Sequence, residues 1–179
     1  MIKEAIKKLV AGNDLTFDEA AQVMDEMFSG TATQSQMAAY LTALRIKGET
    51  IDEITASAQV MREKALHIKP NRDVLDIVGT GGDGTGTFNT STTAAFIIAA
   101  AGIPVAKHGN RSMSSKSGSA DCLEQLGINI NITPEKSEEV LNKAGICFMF
   151  AQGYHSSMKY VGPVRKDCLL YTSDAADEL

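Results

Sequence analysis

The sequence has no tryptophan, only four prolines and only three cysteines in 179 residues. The cysteines are odd in number and widely spaced, and they form no Cys-x-x-Cys pair, which argues against a disulfide framework or a zinc site. No apolar run approaches the roughly 20 residues that cross a membrane, so no membrane partner is expected. The first residues also lack the long apolar region of a signal peptide, and together these features predict a cytoplasmic protein.

The chain also has little positive charge. Its formal net charge is −5, whereas proteins that bind nucleic acid without sequence preference rely on a broadly basic surface. No nucleic-acid partner is therefore expected, and any anionic ligand must be held by a local basic cluster. The 44% hydrophobic and 22% charged fractions are typical of a globular protein with one core, or with a small helical unit beside a larger one.

Residues 1–70 show apolar side chains at three- and four-residue spacing, which predicts an all-helical N-terminal domain. Four methionines on the predicted helix faces are expected to lie in its core. The helix boundaries are marked by three capping boxes and two C-terminal glycines, namely Thr16 with Glu19, Thr33 with Gln36, Thr50 with Glu53, Gly30 and Gly48.

From residue 71 onward, strand-like and helix-like segments alternate. Continuous apolar strands between helices predict a mostly parallel sheet with helices on both faces, so the fold class is α/β behind a helical domain. The pattern predicts strands at 74–78, 103–106, 128–132 and 146–151, and helices at 90–101, 119–126 and 134–144. Ligands of such sheets bind at the carboxyl ends of the strands, where two unusual loops follow the first and second strands.

The first of these loops is crowded with glycine. Residues 79–87 read Gly-Thr-Gly-Gly-Asp-Gly-Thr-Gly-Thr, and residues 89–92, Asn-Thr-Ser-Thr, then begin a helix. Glycines let backbone N–H groups converge on phosphate oxygens, and a helix N-terminus adds free N–H groups and a positive dipole end. The loop is neither a clean dinucleotide fingerprint nor a P-loop, and it predicts a phosphorylated small molecule as ligand.

The second loop, residues 107–119, gathers four basic or potentially basic side chains and five hydroxyl groups. Lysine supplies a point charge, arginine a planar fork and serine further hydrogen bonds to phosphate. A solvated basic loop is the alternative, and it is disfavoured directly after a buried strand. Two phosphate-type loops predict a ligand that carries phosphate at both ends.

Five motifs resemble those of the anthranilate phosphoribosyltransferase family. They occur in the family's order at residues 76–83, 88–92, 107–111, 114–121 and from Tyr154-His155 to Arg165. The resemblance covers residues 1 to about 166. It implies transfer of the 5-phosphoribosyl group of phosphoribosyl pyrophosphate (PRPP) to anthranilate, with release of pyrophosphate, in tryptophan biosynthesis. It further implies Mg²⁺ as cofactor and a homodimer joined through the N-terminal helices.

The resemblance also implies roles for individual residues. Gly79, Asn110 and Arg165 would bind anthranilate, and Ser91 would touch the metal ion. Lys107, Asn110 and Arg111 would position the transition state, with no residue assigned as a certain acid or base. The residues expected to bind PRPP are Gly79, Gly82, Asp83, Thr87, Asn89, Thr90, Ser91, Thr92, Lys107, His108, Gly109, Asn110, Arg111, Ser114, Ser115 and Ser119.

His108 and Asp76 have alternative interpretations. His108 could accept the proton that the attacking amine loses, but a role in loop packing is favoured. Asp76 could ligate a metal ion on composition alone, and a structural role at the strand end is favoured.

Residues 167–179 depart from the family pattern. The family continues into further strands and an Asp-Glu pair that holds Mg²⁺, and Asp177-Glu178 lacks the surrounding context of that pair. The expectation is that residues 71–166 form the first part of a catalytic domain truncated at its C-terminus and that residues 167–179 are foreign to it. An unpaired sheet edge, exposed apolar faces and little or no turnover by this chain alone are then expected.

Two other functions remain open at this point. A pyrimidine nucleoside phosphorylase shares the fold and a glycine-rich phosphate loop with the family, but its basic loop differs from residues 107–111. A noncatalytic relative that binds nucleic acid is disfavoured by the acidic charge balance.

Overall fold

The computed structural model describes residues 1–79, 88–112 and 117–170. It divides into two compact units, one formed by residues 1–65 with 155–170 and the other by residues 66–154. The elements along the chain are α1 (Ile2–Val10), α2 (Phe17–Phe28), α3 (Gln34–Lys47), α4 (Ile51–Lys64), α5 (Thr90–Ala100), β1 (Val105–Gly109), α6 (Ser119–Gln125), α7 (Pro134–Ala144), β2 (Ile146–Phe150), α8 (Ala151–Tyr154) and α9 (Met158–Asp167).

The first unit is a bundle of α1 to α4 with α9. All three predicted capping boxes are present, and Gly30 and Gly48 follow their helices with φ angles of 74° and 87°, which glycine adopts without strain. Of the four methionines expected in the core, Met24, Met27 and Met37 are buried, and Met61 is partly buried and packs against the core. The local signals for the helix ends are therefore borne out, although Ile46, Ile51 and Ile54 remain exposed.

A buried carboxylate ties three segments of this bundle together. Glu53, at the start of α4, accepts hydrogen bonds from the backbone N–H groups of Leu15 (2.9 Å) and Thr50 (2.8 Å) and from Lys47 Nζ (2.9 Å). Burial raises the pKa of Glu53, but these bonds outweigh it and lower the pKa below its ordinary value. Glu53 is therefore a buried carboxylate whose negative charge is stabilised by three hydrogen bonds.

The second unit contains a parallel sheet in which β1 pairs with β2 from Val105↔Ile146 to Gly109↔Phe150. On the opposite side of β1, Leu75 forms a single parallel bridge with Val105. The predicted α/β class is confirmed, and α5, α6 and α7 lie close to the predicted helices. None of the helices in the described ranges is both long and apolar enough to cross a membrane.

The predicted strand at 74–78 is reduced to the bridge at Leu75, and the second strand lies at 105–109 instead of 103–106. Beyond Leu75, hydrogen bonds that involve side chains take the place of backbone pairing between this segment and β1. The His108 N–H donates to Asp76 Oδ1 (3.1 Å) and the Ile77 carbonyl accepts from Lys107 Nζ (2.6 Å). Asp76 thus has the structural role that was favoured for it.

The strand predicted at 128–132 is wrong, because these residues form no regular element. The Asn131 N–H bonds to the Asn129 side chain (3.0 Å), a local contact that competes with strand pairing. Ile130 is nevertheless buried against Leu123 and Phe148. The apolar pattern therefore predicted burial correctly for Ile130 but not for Ile128, which is 38% exposed, and it predicted the secondary structure incorrectly.

Candidate anion-binding site

The candidate site lies beside the middle of β1, at the N-terminus of α5. Lys107 is 3% exposed, and its Nζ donates to the Ile77 carbonyl (2.6 Å) and to Ser91 Oγ (3.3 Å). These bonds hold the ammonium group beside the first turn of α5. A buried cation and a helix N-terminus both favour negative charge, so together they make a site for an anion.

The N-terminus of α5 is capped by Asn89, whose Oδ1 accepts from the Thr92 N–H (3.3 Å). The first turn contains no acidic residue that would neutralise the helix dipole. Gly79 approaches this turn so closely that a Cβ on it would lie 3.4 Å from Ser91 Oγ. The structure thus brings Gly79, Ser91 and Lys107 together, as the sequence predicted for a phosphate-binding group.

The second predicted loop starts at the end of β1 and returns at α6. Asn110 is held through its carbonyl, which accepts from Ser119 Oγ (3.3 Å) and from the Ala120 N–H (3.2 Å). Gly109 faces Ser119 and Phe148, and a Cβ there would overlap both side chains. Glycine is favoured at this position because a larger residue would have to displace the Ser119 hydroxyl and the Phe148 ring of β2.

Arg111 makes contacts that sequence reasoning missed. Its guanidinium bonds to Asp121 Oδ1 (2.9 Å) and to both carboxylate oxygens of Glu124 (2.7 and 2.9 Å), and it lies 5.6 Å from the centroid of the Phe150 ring. These contacts raise the pKa of Arg111 and lower that of Glu124. The available signal was the three-residue spacing of Asp121 and Glu124, which places both on one face of α6.

Asp121 also closes the base of the loop. Its Oδ2 accepts from the N–H groups of Gly118 (2.9 Å) and Ser112 (3.1 Å), and these bonds, aided by Arg111, lower the pKa of its carboxyl group despite burial. A Cβ on Gly118 would overlap backbone atoms of Arg111 and Ser112. The limbs at 110–112 and 118–121 are therefore clamped together.

The predicted residues Arg165 and His108 belong to different units of the fold. Arg165 lies on α9 in the helical unit, whereas Gly79 and Asn110 belong to the unit of residues 66–154. His108 is buried in β1, in keeping with a packing role. The predicted PRPP-binding residues outside the described ranges are Gly82, Asp83, Thr87, Ser114 and Ser115.

The described residues fit Mg²⁺ only if a bound phosphate group supplies most of its ligands. Within the described ranges no three His, Cys, Asp or Glu side chains come together as a metal site. The predicted ligand Ser91 is a hard oxygen donor, but its Oγ lies 3.3 Å from the Lys107 ammonium. Magnesium commonly binds through substrate phosphates and water with few protein ligands, and the phosphate charge would offset this repulsion.

Comparison with known proteins assigns both parts of the chain. Residues 3–65 match the model for the helical bundle domain of a glycosyl transferase family, and residues 71–174 match the model for its a/b domain. The chain is 61% identical over 167 residues to the anthranilate phosphoribosyltransferase of Endomicrobium trichonymphae, a match covering 93% of this chain and 50% of that protein. It is 58% identical over 172 residues to that of Ruminiclostridium cellulolyticum, again spanning 50% of the relative.

Solved structures of anthranilate phosphoribosyltransferases share this fold. The anthranilate phosphoribosyltransferase of Thermus thermophilus superposes with a TM-score of 0.85 at 43% identity, covering 97% of this chain and 53% of that one. That of Saccharomyces cerevisiae in complex with PRPP and Mg gives a TM-score of 0.83 at 25% identity, covering 99% and 53%. The chain spans about half the length of the relatives it matches. It belongs to the glycosyl transferase family defined by this helical bundle and a/b domain.

Proposed function

We propose that this chain carries the PRPP-binding part of an anthranilate phosphoribosyltransferase. The observation that carries the proposal is the buried Lys107 ammonium held beside the N-terminus of α5. Support also comes from the relatives that are more than 50% identical and from the yeast enzyme solved with PRPP and Mg. The substrates are accordingly PRPP and anthranilate.

In the proposed reaction the C1–O bond to pyrophosphate breaks and a bond forms between C1 and the anthranilate nitrogen, which then loses a proton. Negative charge grows on the leaving pyrophosphate, so groups that bind it best in the transition state accelerate the reaction. Lys107 and the N–H groups of the first turn of α5 supply this stabilisation. Mg²⁺, with Ser91 as a ligand, would add positive charge at the phosphate oxygens when bound.

The acceptor requires orientation more than activation. An aromatic amine carries a free lone pair, so alignment opposite the leaving group contributes more than a strong base would. Asn110 is held at the end of β1 by contacts from Ser119 and Ala120, which gives it a fixed backbone position for this task. Arg165 suits the anthranilate carboxylate because its guanidinium matches a carboxylate with two parallel hydrogen bonds.

The proposal includes a homodimer formed through the helical unit. Ile46 and Ile51, at the adjoining ends of α3 and α4, are each 82% exposed, and Ile54 is 57% exposed. Neighbouring exposed isoleucines are typical of an interaction surface. Sedimentation equilibrium over a range of concentrations tests this assembly, and a monomer at every concentration would exclude it.

Calorimetric titration of PRPP into the chain, in the presence of Mg²⁺, tests the proposed site. We expect binding that weakens about tenfold or more in Lys107→Met, since a charge-assisted bond to phosphate is lost. Lys143→Met is the matched control, because Lys143 is exposed and bonds to Glu139 on α7. Equal affinities for the wild type and Lys107→Met would overturn the assignment of the site.

A further inference from the structure

Arg111 belongs to the loop predicted to bind phosphate, but its guanidinium bonds to two carboxylates of α6. Nη1 donates to Asp121 Oδ1 (2.9 Å) and to Glu124 Oε2 (2.7 Å), and Nη2 donates to Glu124 Oε1 (2.9 Å). The guanidinium carbon also lies over the Phe150 ring, 5.6 Å from its centroid. Arg111, Asp121 and Glu124 thus form a clamp in which three of the five N–H donors of the guanidinium are engaged.

The charges of this clamp do not favour a phosphate group beside Arg111. Hydrogen bonds from backbone N–H groups lower the pKa of Asp121, and those from Arg111 lower the pKa of Glu124, so both acids are ionised at neutral pH. Two carboxylates that face one guanidinium leave an excess of negative charge, which repels an anion. Lys107 Nζ, in contrast, donates to a carbonyl and a hydroxyl group, which are neutral. A phosphate group is therefore attracted to Lys107 more than to Arg111.

The clamp is connected to both limbs of the loop. The Arg111 backbone N–H donates to Asn110 Oδ1 (2.8 Å), and the Asn110 carbonyl accepts from Ser119 Oγ (3.3 Å). The Ser112 N–H donates to Asp121 Oδ2 (3.1 Å). Asn110 and Ser119 are both expected to contact a ligand, and their positions therefore depend on how Arg111 is held against α6.

Two other roles for Arg111 make different predictions. If it were a direct phosphate ligand, as the sequence predicted, it would have to leave its carboxylates, and removing one of them would release it. An isolated surface ion pair would contribute little and would leave its neighbours unaffected. The bidentate pair, the second carboxylate and the stacked ring favour a third role, because such a network fixes the guanidinium in one geometry.

We propose that Glu124 is a positioning residue for the ligand-binding loop and that it acts through Arg111. Glu124 holds the guanidinium against α6, and Arg111 in turn fixes the backbone that carries Asn110. Neither Glu124 nor the Arg111 guanidinium touches the phosphate groups of the ligand. Glu124 lies outside the five sequence motifs, so the sequence did not mark it. The inference rests on the proposed function, because PRPP is the ligand that the loop receives.

Calorimetric titration of PRPP with Mg²⁺ into Glu124→Gln gives a result whose sign distinguishes the roles. We expect binding at least threefold weaker than in the wild type, because Arg111 loses its bidentate partner. A direct phosphate ligand predicts tighter binding, since a repelling charge is removed and the guanidinium is released. Glu139→Gln is the matched control, because Glu139 is an acid on α7 that bonds to two lysines of its own helix. Binding to Glu124→Gln as tight as to this control, or tighter, overturns the proposal.

Arg111→Met and the double variant with Glu124→Gln test whether the two residues act together. Both single changes break the same clamp, so their effects on PRPP affinity should not add. The double variant should bind PRPP no more than about twofold more weakly than Arg111→Met alone. Losses that add in full would show that the two side chains act independently, and they would overturn the proposal.

Hydrogen exchange without ligand tests the clamp separately from the proposed function. The Ser112 amide joins one limb of the loop to α6, and it should exchange at least threefold faster in Arg111→Met and in Glu124→Gln. The Gly145 amide, which donates to Leu141 O at the end of α7, should not change and shows that the variants are folded. Unchanged exchange at Ser112 overturns the clamp and leaves the proposed function standing. A wild-type chain that binds no PRPP overturns the proposed function, and the positioning role with it, even where Ser112 responds as expected.

Discussion

At the scale of single residues, charge is stabilised in this protein by dense local bonding. Glu53 receives three hydrogen bonds from three different segments, and Lys107 is buried between a carbonyl and a hydroxyl group. The capping role of Glu53 follows from its spacing to Thr50. Its contact with Leu15, 38 positions away, could not be predicted, because that contact depends on how the helices pack.

Replacing Glu53 by glutamine should destabilise the bundle by about 2–3 kcal/mol, because a buried ion pair is broken and a backbone donor loses a charged acceptor. Urea unfolding followed by circular dichroism measures this change. Glu63→Gln on the same helix is the control, since Glu63 is exposed and bonds to Gln59 at the surface. A loss no larger than that of the control would contradict the assigned role of Glu53.

The difference in stability between the wild type and Glu53→Gln should depend on pH. The pKa of Glu53 in the folded bundle lies below its ordinary value of 4.5, so its contribution is complete above about that pH. The contribution is lost as the pH falls through the lowered folded pKa. The stability difference between the wild type and Glu53→Gln should therefore shrink on acidification below about pH 4.5, and a difference that stays constant there would refute this explanation.

At the scale of secondary-structure elements, sequence patterns located helices better than strands. The boundaries of α2, α3 and α4 follow from capping boxes, which are local in sequence. The segment at 128–132 is apolar, yet Asn129 bonds locally and no ladder forms. Strand pairing depends on distant partners, and for that reason the pattern alone placed this element incorrectly.

Gly118 provides a test of the clamped loop. An alanine there would place its Cβ against the backbone of Arg111 and Ser112, so Gly118→Ala should destabilise this unit by about 1–3 kcal/mol. Gly153→Ala is the matched control, because no described atom lies within 4 Å of a Cβ at that helical position. Thermal unfolding distinguishes the two variants. Equal unfolding midpoints would show that the loop limbs separate easily.

At the scale of the whole molecule, the sequence motifs predicted the family and the closeness of Gly79 to the first turn of α5. They did not reveal that Arg111 is engaged by Asp121 and Glu124, because both acids belong to a helix whose orientation depends on tertiary packing. The proposed role of Arg111 in positioning the transition state stays a prediction. So do the roles of Gly82, Asp83, Thr87, Ser114 and Ser115, which lie outside the described residues.

The reaction itself tests the central claim most directly. The measurement is release of pyrophosphate from PRPP, with Mg²⁺ and anthranilate, by this chain combined with the unmatched half of the Endomicrobium trichonymphae relative. We predict release that requires both polypeptides and anthranilate and that falls at least tenfold in Lys107→Met. A well-formed complex that releases no pyrophosphate, or one that instead cleaves thymidine with phosphate, would contradict the proposed function.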